Sequence, residues 1–210
     1  MKFIKLILTM VGGAAMAFGV PSTPDYTVCP ATGNDTLGCQ LLITVTSVDL
    51  SGNATGFATT TNPANQGAFD GVEDTLIGIT NSSGGTLNSI SLSGGLGSGV
   101  FNFDGDGACT GTYSPTPTLA QCGLGAYTFT DPQDYQSVGA TITGISNAGD
   151  SGIVDLVGGL TNGSSTWFDL EGVIAASQVV SGSPEPGSIA LLGAGLAGLG
   201  FLARKRRVAR

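Results

Sequence analysis

The chain of 210 residues carries 15 acidic and 7 basic side chains and no histidine, for a formal net charge of −8. All seven cations sit at the ends, Lys2 and Lys5 at the front and Arg204, Lys205, Arg206, Arg207 and Arg210 at the back, so residues 6 to 203 bear no permanent positive charge. Nucleic acid is thereby excluded as a partner of the interior, and phosphate ligands and anionic lipid surfaces are disfavoured, because all three rely on cationic contacts. Ser-His-Asp, Cys-His and lysine-based catalysis are excluded with them.

In chain order, residues 1–17 read as a signal peptide. A basic start is followed by the apolar run Leu6 to Gly13 and by the small-x-small pattern Ala15-Met16-Ala17, which predicts cleavage by signal peptidase after Ala17. Residues 18–175 then read as one exported domain. Abundant Gly, Ser and Thr with few helix-favouring Glu, Lys or Arg predict β structure with many turns.

An even number of cysteines bound for an oxidising compartment reads as disulfides. Three pairings are open, and the two local ones, Cys29 with Cys39 and Cys109 with Cys122, are favoured. Each encloses a short polar loop whose closure contributes roughly 3 kcal/mol in the chain-entropy model. Zinc is disfavoured, since neither spacing is CxxC and no His is available.

Leu41 to Leu50 alternates apolar residues at 41, 43 and 45 and then changes parity to 48 and 50, which predicts a strand with a bulge near Ser47. Further strands are predicted over 56–61, 72–80, 86–93, 98–103, 126–130, 138–146, 152–157 and 165–174, each bounded by Gly, Asn, Ser or Pro. Nine short strands at this spacing predict an all-β fold, an antiparallel sandwich of the jelly-roll or immunoglobulin kind. In Ser165 to Ile174, Phe168 and Leu170 point to the core, while Trp167, Asp169 and Glu171 point the other way.

Three acidic patterns carry possible chemistry. Asn102-x-Asp104-x-Asp106-Gly107 opens like a calcium loop, yet its twelfth position is Tyr113 where a bidentate Glu belongs, which disfavours a helix-loop-helix hand. A β-turn calcium site completed by carbonyls, Asp131 or Asp134 stays open, beside the plainer reading of an acidic turn capped by its own Asp side chains. Asp70, Glu73 and Asp74 form a second cluster, expected on a solvated loop and able to share an ion. Carboxylate catalysis has two slender candidates, the Asp150-Ser151-Gly152 triplet and the Asp169/Glu171 pair, the latter placed to flank a glycosidic bond.

Residues 176–183 lose alternation and read as a tether. Behind them come Pro184-Glu185-Pro186, the apolar segment Ser188 to Ala203, and Arg204-Lys205-Arg206-Arg207. Sixteen residues of helix span roughly 24 Å, enough for one membrane helix with local thinning. The basic cluster behind it predicts an inner-membrane anchor with its stop in the cytoplasm and the body in the periplasm.

This three-part order over 184–210 resembles the PEP-CTERM sorting domain, also known as the ice-binding protein C-terminal domain, of exported proteins from Gram-negative bacteria that make extracellular polysaccharide. The resemblance implies that exosortase, a membrane cysteine transpeptidase, recognises the segment near Pro184, Glu185 and Pro186 and removes the tail. More loosely, the strings FDGVEDTLIGITNSSGGTLNSISLSG, FNFDGDGACTG and GGLTNGSSTWFDLEG resemble PEP-CTERM proteins with an all-β ectodomain. The expected function is a non-catalytic protein of the cell surface or polysaccharide matrix, anchored in the membrane only in transit. The alternatives are a calcium-dependent carbohydrate-binding or adhesive module using Asp104, Asp106, Trp167 and Tyr113, and a carboxylate glycosidase using Asp169 and Glu171.

Overall fold

A computed structural model describes residues 23–65, 67–110, 117–123, 132–172 and 180–181. The expected signal peptide, the Pro184-Glu185-Pro186 tail with its apolar span, and the strand expected over 126–130 lie outside the described residues.

Among the described residues, eight strands form two four-stranded sheets that pack face to face: β1 (Leu41–Val48), β2 (Ala54–Thr61), β3 (Thr75–Asn81), β4 (Leu87–Ser93), β5 (Ala140–Thr143), β6 (Ser151–Leu160), β7 (Ser165–Leu170) and β8 (Val180–Ser181). One sheet has the order β2-β1-β3-β7 and the other β5-β6-β4-β8. Alternation puts Leu41, Ile43 and Val45 of β1, Ile77 and Ile79 of β3, and Phe168 and Leu170 of β7 on one inner face, against Leu87, Ile90, Leu92, Val154 and Leu156 on the other. The bulge expected near Ser47 is present as a register break against β2, and it turns Val48 back onto the core.

The sandwich is mostly antiparallel, with one correction: β1 and β3 pair in parallel. β2 returns antiparallel along one edge of β1 and so ends near the start of β1. Residues 62–74 then carry the chain past that end to the other edge of β1, where a strand starting there must run the same way as β1. The strand expected over 98–103 is a second correction. The chain turns there through Gly97 and Gly99, at φ 75° and 61°, held by the Asp150 carboxylate, which accepts their N–H groups at 2.9 and 3.1 Å. Phe101 still reaches the core, so its apolar character is spent on packing and not on a strand. β8, paired with β4 over two residues, falls in the segment expected as a tether.

The outer face of β3 and β7 carries a second apolar layer in which Leu76 and Trp167 pack with Cys29, Cys39, Phe69, Ala108, Cys109 and Cys122. Both local disulfides, Cys29–Cys39 and Cys109–Cys122, are formed. Gly78 makes room for the first: a Cβ there would lie 2.6 Å from the Cys39 sulfur, so only glycine lets the bridge rest on the sheet. Trp167, expected on an open face for sugar stacking, is only 6% exposed because this layer covers it.

Inside the Cys29–Cys39 loop, Asp35 is 1% exposed, and burial pushes its carboxyl up to about 7. The native state therefore holds a proton that the unfolded chain releases near pH 4, so this contribution to stability falls as pH rises from about 4 to about 7. Asp35→Asn, which mimics the neutral acid, is expected to leave the melting temperature unchanged at pH 4 and to raise it by roughly 4–8 °C at pH 8, for a gain of about 2 kcal/mol. Equal shifts at both pH values would contradict this.

Candidate functional site

The antiparallel register brings the start of β3 beside the end of β7, with Thr75 opposite Leu170, and the Thr75 hydroxyl donates to the Gly172 carbonyl at 2.6 Å. Carboxylates from three separate segments, and a tyrosine from a fourth, converge at this end of the sheet.

Asp70 shapes the first segment. Its Oδ1 accepts the backbone N–H groups of Val72, Glu73 and Asp74 at 3.0, 3.0 and 3.1 Å, a turn that delivers Glu73 and Asp74 to the mouth of β3. The cluster expected on a solvated loop is thus corrected at Asp74, which is 0% exposed because residues 99–110 fold across it. Neither Asp74 carboxylate oxygen has a hydrogen-bond partner.

β7 supplies the second segment. Since Phe168 and Leu170 face the core, Asp169 and Glu171 face outward as expected, but outward here means beneath the loop of residues 99–110. Asp169 is 0% exposed and accepts the Ala108 N–H at 2.7 Å; Glu171 accepts the Asp104 N–H at 3.0 Å. The loop itself is the third segment and brings Asp104 and Asp106 against them. Tyr135, from the short 3-10 turn Gln133–Tyr135, is the fourth and is fully buried, its ring against Phe103 at a centroid distance of 4.3 Å.

The Tyr135 hydroxyl donates toward Asp106 Oδ1 at 2.9 Å, toward Asp104 Oδ1 at 3.3 Å, and to Glu171 Oε1 in a short contact. One hydroxyl has one proton to give, so it satisfies one of the three carboxylates at a time. With no Lys, Arg or His between residues 6 and 203, the charge gathered here is balanced by bound protons or by a cation from solution. Burial first, and then the charges of Asp169, Glu171, Asp106 and Asp70, push Asp74 up to about 10. Burial raises Glu171 above the ordinary carboxylate range and Asp169 well above it, and the hydrogen bond shared with Asp106 raises Asp104. Burial and the Glu171 contact likewise keep the Tyr135 phenol protonated.

Two triads have ligand-type oxygens within 4.8 Å of one another: Asp70, Asp74 and Asp106, and Glu73, Asp104 and Glu171. The second triad borders an open polar cleft of about 270 Å³ that Asn102 and Gly99 also line. Of the residues the sequence put forward, Asp104 and Asp106 meet with the Asp70 cluster, Asn102 lines the cleft outside both triads, and Asp134 is buried near Asp169. Asp131 and Tyr113 lie outside the described residues. Tyr135 was not foreseen; nothing in Pro132-Gln133-Asp134-Tyr135 distinguishes it from an ordinary core aromatic.

At the other end of the chain, residues 184–207 match the family description of a PEP-CTERM protein-sorting motif. The tail is a PEP-CTERM sorting motif. It marks the chain as an exosortase substrate and implies export by the route typical of Gram-negative surface proteins. No curated protein and no solved structure matches the chain significantly.

Proposed function

We propose that the chain is a non-catalytic protein of the cell surface or extracellular polysaccharide matrix, cleaved by signal peptidase after Ala17 and held in the inner membrane by residues 188–203. Exosortase then removes its tail at Pro184-Glu185-Pro186. The PEP-CTERM motif over 184–207 carries this reading. The cation-free body and the two disulfides agree with life in an oxidising exterior. A role without catalysis is supported by the placement of the candidate carboxylates: Asp150 anchors the turn at Gly97 and Gly99, and Asp169 is enclosed beneath Ala108.

Deleting residues 184–210, or substituting Glu185→Ala, is expected to change where the body accumulates. Fractionation of the host should find the Glu185→Ala chain in the inner membrane with its tail uncut, and the deletion free in the periplasm. Normal processing and surface delivery of both would overturn the assignment.

A further inference from the structure

We propose that Asp70, Asp74 and Asp106 form a calcium site that fastens the loop of residues 99–110 to the entry of β3. The proposal concerns the body alone and does not depend on how the tail is sorted. Three acids close together are common on protein surfaces and would not by themselves mark a site. What distinguishes this group is Asp74, 0% exposed, with both carboxylate oxygens unpartnered and one of them within 4.8 Å of oxygens on Asp70 and Asp106. A buried carboxylate without a donor is strongly disfavoured unless it is neutralised. The described residues offer no cationic side chain to do so, and the phenolic proton of Tyr135 is directed at Asp104, Asp106 and Glu171.

The donor set selects the ion. Every candidate ligand is a carboxylate oxygen, all four cysteines are bridged, and His is absent, which suits a hard cation and not zinc or copper. Calcium accepts about 6–8 oxygen ligands in flexible geometry, whereas magnesium demands a near-ideal octahedron and keeps most of its water, so carboxylates brought together from two separate loops suit calcium. The neighbouring triad of Glu73, Asp104 and Glu171 adds further negative charge on the solvent side. Coordination would join a turn before β3 to a loop more than thirty residues later, which explains why that loop crosses the carboxylates despite their mutual repulsion.

The test uses the full disulfide-bonded chain in mild detergent, freed of metal with EGTA and titrated with calcium chloride at pH 7.5. A saturable heat is expected, together with a rise of roughly 5–10 °C in melting temperature at a hundredfold excess over the dissociation constant. Asp74→Asn, which keeps the shape and removes the charge, should melt at or above the metal-free parent temperature and lose the response to calcium. Asp155→Asn, on the distant β6, should keep it. Absence of heat and of any melting shift at millimolar calcium would overturn the proposal, as would a full response in Asp74→Asn. An equal response to magnesium would overturn the assignment to calcium.

Discussion

Reducing both disulfides of the folded protein is expected to unfold it at room temperature or bring it close to unfolding. The bridges close loops of 10 and 13 residues, each worth about 3 kcal/mol in the chain-entropy model. Their sum of about 6 kcal/mol compares with the whole stability of an ordinary domain, about 5–15 kcal/mol. Packing adds to the effect, since all four cysteines belong to the layer over β3 and β7 that also holds Phe69, Leu76 and Trp167. Urea titrations with and without reductant would measure it as a lower midpoint, and the Cys29→Ser/Cys39→Ser and Cys109→Ser/Cys122→Ser variants should each show about half. Midpoints that agree within error would show that the layer holds without covalent help.

Phe168→Ala should be the most damaging single truncation in the sandwich. Phe168 is fully buried in the middle of β7, opposite Ile77 in the register, and its ring fills the space between the two sheets. Losing a buried phenyl ring costs about 3–5 kcal/mol through transfer and cavity terms together. For a domain of this size that lowers the melting temperature by roughly 10 °C or more. Leu96→Ala is the control, since Leu96 is fully exposed in a turn and should change stability by less than about 0.5 kcal/mol. A loss at Phe168 no larger than the one at Leu96 would mean that the two sheets do not pack as described.

Local pattern carried much of the fold. Period-two alternation located β1 and β7 and chose their core residues, a change of parity located the bulge at Ser47, and short cysteine spacings indicated the disulfides. What periodicity does not encode is which edge of β1 receives β3, and so the parallel pairing was not legible. At residues 98–103 the apolar residues Val100, Phe101 and Phe103 imitate a strand, and the feature that prevents one is the Asp150 carboxylate some fifty residues away.

The acidic site was legible only in fragments. Asp104 and Asp106 stood out by spacing, but their partners Asp74, Tyr135 and Glu171 come from three other segments that only the tertiary fold brings together. Trp167, Asp169 and Glu171 were correctly turned away from the core, yet alternation says nothing of what lies on the far side of a sheet. Here that side is closed by the loop of residues 99–110 and the disulfide layer, and all three residues are buried.

The layer over β3 and β7 also has a bearing on when the molecule can mature. Its two staples form in oxidising surroundings and stay open in a reducing cytosol, so inside the cell the newly made polypeptide lacks the clasps that complete it. A translocation channel admits a thread more readily than a finished globule. On the export route proposed above, these last locks shut beyond the membrane, so compaction follows passage.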